Sequence, residues 1–129
     1  MAAITPALKG GIHANGVTHR FSGTSTSNQA DTMTSTACPE RSAQKLLYVT
    51  CTYSAAPTQA GVTVEIDSGA GTGFDATLST GAANIQDTVW LPESEVWIVP
   101  GDAIRVSAPA GGAGITSNIV IALDQSGAY

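Results

Sequence analysis

The chain has 129 residues, of which 43% are hydrophobic but only 12% are charged, and its formal net charge is -5 at pH 7. One domain with an ordinary core fits this length, and a second does not. The five basic residues, Lys9, Arg20, Arg41, Lys45 and Arg105, are scattered. A phosphate-binding surface needs them clustered, so nucleic acid is not an expected partner; nor is a membrane, since no apolar run is long enough to span one.

Residues 1–18 mix Gly, Pro, Ala and Asn with isolated apolar positions, Ile4, Leu8, Ile12 and Val17. That spacing suits neither helix nor strand and predicts an extended, flexible arm over residues 1–18, with a folded domain over 19–129. The first residues, MAAITPALKGG, lack the basic start and apolar run of a secretory signal, so the chain reads as made and kept in the cytosol. Residues 19–38 are rich in Thr and Ser, which favour edge strands and turns, with a turn expected at SNQAD, 27–31.

KLLYVTCTYS predicts a strand that places Leu47, Val49, Cys51 and Tyr53 on one face and Leu46, Tyr48, Thr50 and Thr52 on the other. VTVEID alternates Val62, Val64 and Ile66 with Thr63, Glu65 and Asp67, the clearest period of two in the chain. FDATLS follows across the loop SGAGTG, and the pair reads as a hairpin. DTVWLPE and the short apolar run 96–99 come next, then a turn in which Pro100 fixes φ and Gly101 takes positive φ. AIRVSA and TSNIVIALDQ close the series, the latter with Ile119, Ile121 and Leu123 facing a core.

About eight short strands with turns every eight to twelve residues, and no long helical stripe, predict an all-β fold. Prolines 57, 92, 100 and 109 fall between apolar runs, as expected of a residue that cannot donate to an interior ladder. The expected architecture is a single antiparallel β-sandwich, with jelly-roll or immunoglobulin-like connections, carrying the N-terminal arm.

Few residues advertise chemistry. GAGTG, 69–73, lacks the following helix whose free amides would cradle a phosphate, and reads as a hairpin loop. Asp67 and Asp75 flank that loop, and Glu93, Glu95 and Asp102 lie in turns, but without calcium-loop spacing they read as solvated carboxylates. His13 and His19 lack the company of a zinc site, no GxSxG elbow is present, and Cys38 and Cys51 read as buried small hydrophobes rather than a bridge. No catalytic, cofactor or metal-binding residue is therefore assigned, and an enzyme is not expected. Trp90 and Trp97 read as core or intersubunit packing, with sugar stacking as the alternative.

From Lys45 onward, the succession KLLYVTCTYS, VTVEID with its glycine loop, DTVWLPE, WIVPGDAIRVSAP and TSNIVIALDQ resembles the β-sandwich head decoration or auxiliary capsid proteins of tailed bacteriophages. The resemblance covers roughly residues 45 to 125. It implies a non-enzymatic virion protein on the capsid surface, made in the host cytoplasm and often trimeric, that stabilises the shell by binding the major capsid protein. Ile4, Leu8, Ile12, Trp90 and Trp97 are the interface residues this reading selects. A carbohydrate- or receptor-binding module on a tail or fibre is the other reading.

Overall fold

The computed structural model describes residues 2–13 and 16–126. Its strands in chain order are β1 (Ala2–Ile4), β2 (Ala7–His13), β3 (Gly16–Thr24), β4 (Asp31–Thr34), β5 (Ala43–Tyr53), β6 (Thr63–Asp67), β7 (Ala76–Thr80), β8 (Asp87–Trp90), β9 (Trp97–Ile98), β10 (Ala103–Ala108) and β11 (Ser117–Ser126). One 3-10 turn, Thr72–Phe74, lies between β6 and β7. The fold is all-β, as the alternation predicts.

The strands form two sheets, ordered β1-β4-β10-β6-β7 and β2-β3-β11-β5-β8, with β9 also pairing β5. Within them, β3-β11-β5-β8 and β4-β10-β6-β7 make two four-stranded blocks, and the chain crosses between sheets from β3 to β4, β4 to β5, β5 to β6, β7 to β8, β9 to β10 and β10 to β11. This is jelly-roll connectivity. Of the two topologies left open by spacing, the immunoglobulin-like one, with its different strand order, is excluded.

Inward-facing residues of both sheets meet in one core. Phe21, Met33, Leu46, Val49, Cys51, Tyr53, Val64, Ile104, Val106, Ile119, Ile121 and Leu123 are all buried there, and each full-sized side chain contributes roughly 1.5–3 kcal/mol by leaving water. Tyr53 keeps its polar end satisfied by donating its hydroxyl to the Pro109 carbonyl at 2.7 Å. Cys38 and Cys51 are both buried free thiols.

Two expectations need correction. Residues 2–13 are not an arm: β1 pairs in parallel with β4, and β2 pairs antiparallel with β3. One segment thus supplies an edge strand to each sheet. Strand pairing satisfies main-chain donors and acceptors whatever the side chains, so a Gly- and Ala-rich stretch with no apolar rhythm still joins a free edge.

The second correction is in β5. Its register with β11 shifts between Ala122 and Leu123, where Tyr48 pairs with Ala122 but Leu46 with Leu123, so Leu47 is the extra residue of a bulge. Leu46 is consequently the buried residue and Leu47 only half-buried, the reverse of strict alternation.

Candidate functional site

The flank formed by β7, β8 and β9 carries the features that stand apart from scaffold. β8 and β9 both pair with the same edge of β5: Val49 lies opposite Trp90, and Lys45 lies opposite Trp97. They are one edge strand interrupted at Leu91–Val96, where Pro92 has no N–H to offer a ladder. The Leu46 amide donates to the Val96 carbonyl at 2.8 Å and ties the far side of the interruption down.

The two tryptophans of this strand face opposite ways. Trp90 shares the inward side with Val49 and packs on the core, while Trp97 sits beside Lys45 on the outside and is 42% exposed. Trp97 Nε1 donates to Glu95 Oε2 at 3.1 Å, and Glu95 lies 3.7 Å from Lys45 Nζ. The Trp97 hydrogen bond, then the Lys45 charge, hold the Glu95 carboxyl below its ordinary range.

Along the same edge strand, further apolar side chains are exposed. Val89 is 66% exposed, Leu91 64% and Val99 56%. Sequence reasoning singled out the tryptophans and missed these three. The available signal was parity: once Trp90 is placed inward, Val89 and Leu91 must point outward.

Behind this strip, between the edges of the two sheets, lies a cleft of about 410 Å³ lined by Leu78, Ser79, Trp90, Pro92, Glu93, Ser94 and Val96. Among the described residues, neither the Trp90 indole N–H nor the Glu93 carboxylate has a side-chain hydrogen-bond partner.

The carboxylates of Glu65, Asp67, Asp75 and Asp102 serve the scaffold. On the outer face of the five-stranded sheet, Arg105 bonds Glu65 through Nε (2.9 Å) and Asp75 through Nη2 (3.1 Å), with Asp67 at 3.5 Å from Nη1. Asp75 also accepts the Ser68 amide at 2.8 Å; that bond first, and Arg105 second, hold its carboxyl below the ordinary range. Asp102 accepts from the Gly69 amide at 3.0 Å and clasps the β6–β7 loop to the Pro100-Gly101 turn. Among the described residues, no group of three or more His, Cys, Asp or Glu is placed to hold a metal ion.

Of the N-terminal positions selected from sequence, Ile4 is half-buried against the core. Leu8 and Ile12 stand in β2 opposite Phe21 and Val17; their side chains lie outside the described residues. The N-terminal group and the tryptophans are not brought together, because β1 and β2 form one flank of the sandwich and β7 to β9 the other.

No family model matches the chain, and no curated protein matches it. Among solved structures, it is similar to a structure of infectious bursal disease virus, Gx strain, at 16% identity and a TM-score of 0.42. The alignment covers 95% of this chain and 32% of the viral one, so the chain spans about a third of that protein. It is also similar to the carbohydrate-binding module CBM36, solved with calcium and xylotriose, at 16% identity and a TM-score of 0.31, covering 92% of this chain and 93% of the module. Both scores are too low to bear on function.

Proposed function

We propose that this chain is a non-enzymatic structural subunit of a tailed-phage virion, a capsid decoration protein that binds and stabilises the major capsid protein shell, assembling as a homotrimer. The observation that carries the reading is the exposed apolar strip Val89, Leu91, Trp97 and Val99 on a sandwich that is otherwise sparsely charged. Large apolar side chains gathered on one margin lose free energy in water and regain it against a partner. The double-sheet jelly roll is an architecture used by viral shells, and the sequence resemblance to phage decoration proteins points the same way.

The test is to mix the purified protein with undecorated capsids and image the particles. Saturable, lattice-ordered density is expected, and the pair Val89→Lys and Leu91→Lys, which touches only exposed positions, is expected to abolish it. Binding to tails with none to capsids would overturn the assignment.

The Trp90 cleft favours a second reading, a carbohydrate-binding module on a tail or fibre, because an indole beside a free carboxylate and two serine hydroxyls suits a sugar ring and its hydroxyls. Glycan-array binding that disappears on Glu93→Gln, an exposed position, would support it over decoration.

A further inference from the structure

Asp31 opens β4 two residues before Met33 and shares its inward face, standing in register between Ala2 of β1 and Ala108 of β10. It is 2% exposed, and its Oδ2 atom is buried without a hydrogen-bond partner. A buried carboxylate with no donor costs several kcal/mol unless something compensates its charge. Two of the chain's cations are already committed, Arg105 to Glu65, Asp67 and Asp75, and Lys45 to Glu95.

Asp31 also lines a cavity of about 280 Å³ at the end of the sandwich, together with Thr5, Thr24, Ser25, Thr26 and Gln29. No basic residue lines it. Its polar side chains are hydroxyls, one amide and one carboxylate, all bearing hard oxygen donors. Four of these are held in place: the Thr26 hydroxyl donates to Gln29 Oε1 at 2.6 Å, the Thr24 hydroxyl to Asn118 Oδ1 at 3.0 Å and the Ser25 hydroxyl to the Thr26 carbonyl at 3.0 Å. A buried carboxylate with one oxygen lacking a donor, in the wall of a pocket of neutral oxygens, is the chemistry that selects a hard cation.

We propose that this cavity is a binding site for a hard divalent cation of the calcium type, with Asp31 as its one anionic ligand and the hydroxyl and amide oxygens completing the shell. A single carboxylate sets a weak affinity, of about 10⁻⁴ to 10⁻³ M. Because Ala3, Ile4 and Thr5 belong to the same wall, the ion pins β1 and the turn after β3 to the start of β4. The site is independent of the β8–β9 margin and of the function proposed for it.

The experiment is equilibrium dialysis against calcium chloride at constant ionic strength, with bound metal measured by elemental analysis and thermal melts run in parallel. Expected are one calcium per chain at saturation and a rise in Tm of about 5 °C at tenfold the Kd. Asp31→Asn, which keeps the shape and removes the charge, is expected to lose the bound calcium and the Tm response, and to melt at or above the wild type without metal. Gln29→Leu, at an exposed rim position, is expected to weaken binding severalfold while the protein stays folded. No calcium retained at 10-fold above millimolar concentration, or calcium retained equally by Asp31→Asn, would overturn the proposal; the second result would move the ion to the acidic cluster around Arg105.

Discussion

A methyl group on Gly23 of β3 would fall on the Cγ2 atom of Ile4, so the first strand sits where it does because residue 23 has no side chain. Met33 Sδ closes the same spot from β4, 3.1 Å from where that methyl would stand. Gly23→Ala is expected to cost about 1–3 kcal/mol through overpacking. Because the neighbour that must yield is Ile4, adding Ile4→Ala to Gly23→Ala is expected to cost less than the sum of the two singles, which a double-mutant cycle by chemical denaturation reads directly.

The two tryptophans are expected to respond oppositely to truncation. Trp90→Ala removes a residue packed on the core and is expected to lower stability by about 3–5 kcal/mol. Trp97→Ala, at the exposed margin, is expected to change stability by less than about 1 kcal/mol while removing capsid binding. Urea unfolding midpoints of the two variants, measured beside the capsid assay, separate a core role from a docking role.

Arg105 bridges three carboxylates from β6 and the β6–β7 loop. Arg105→Met leaves them facing one another with no counter-charge, and a loss of about 1–3 kcal/mol is expected for a partly exposed network of this kind. The Asp75 carboxyl is held low in the folded protein, so its contribution is present above its unfolded-state value and is lost as pH falls through the folded one. The gap between wild type and Arg105→Met is therefore expected to close in acid, as followed by thermal melts from neutral pH downward.

At the alkaline end, burial pushes the Cys51 thiol up to about 12. The folded state then holds a proton that the unfolded chain releases near pH 9, so stability is complete below that pH and lost as pH rises towards 12. The expected slope approaches about 1.4 kcal/mol per pH unit. Cys51→Ala is expected to flatten the slope, although burial raises the Tyr53 hydroxyl as well, with the neighbouring Cys51 contributing, and leaves a residual dependence.

Period-two alternation was enough to place β6, β10 and β11, because each has one face in the core and the other outside. What remained illegible depends on partners. β1 and β2 form by main-chain pairing to edges that exist only after folding. The bulge at Leu47 is set by its register against Ala122 and Leu123, and the interrupted strand 87–98 is recognisable as one edge only beside β5. Asp31 lay at the end of an expected turn, SNQAD, and nothing in that pentapeptide signals a carboxylate turned inward.

β11 lies at the centre of the six-stranded sheet, bonded to β3 on one side and β5 on the other, with Asn118 paired to Thr24 across 94 positions of chain. During synthesis, β3 and β5 leave the ribosome with no strand between them. That sheet closes only when the last described strand arrives, so folding comes late and nearly at once, and until then the waiting edges depend on their threonines and serines to stay soluble.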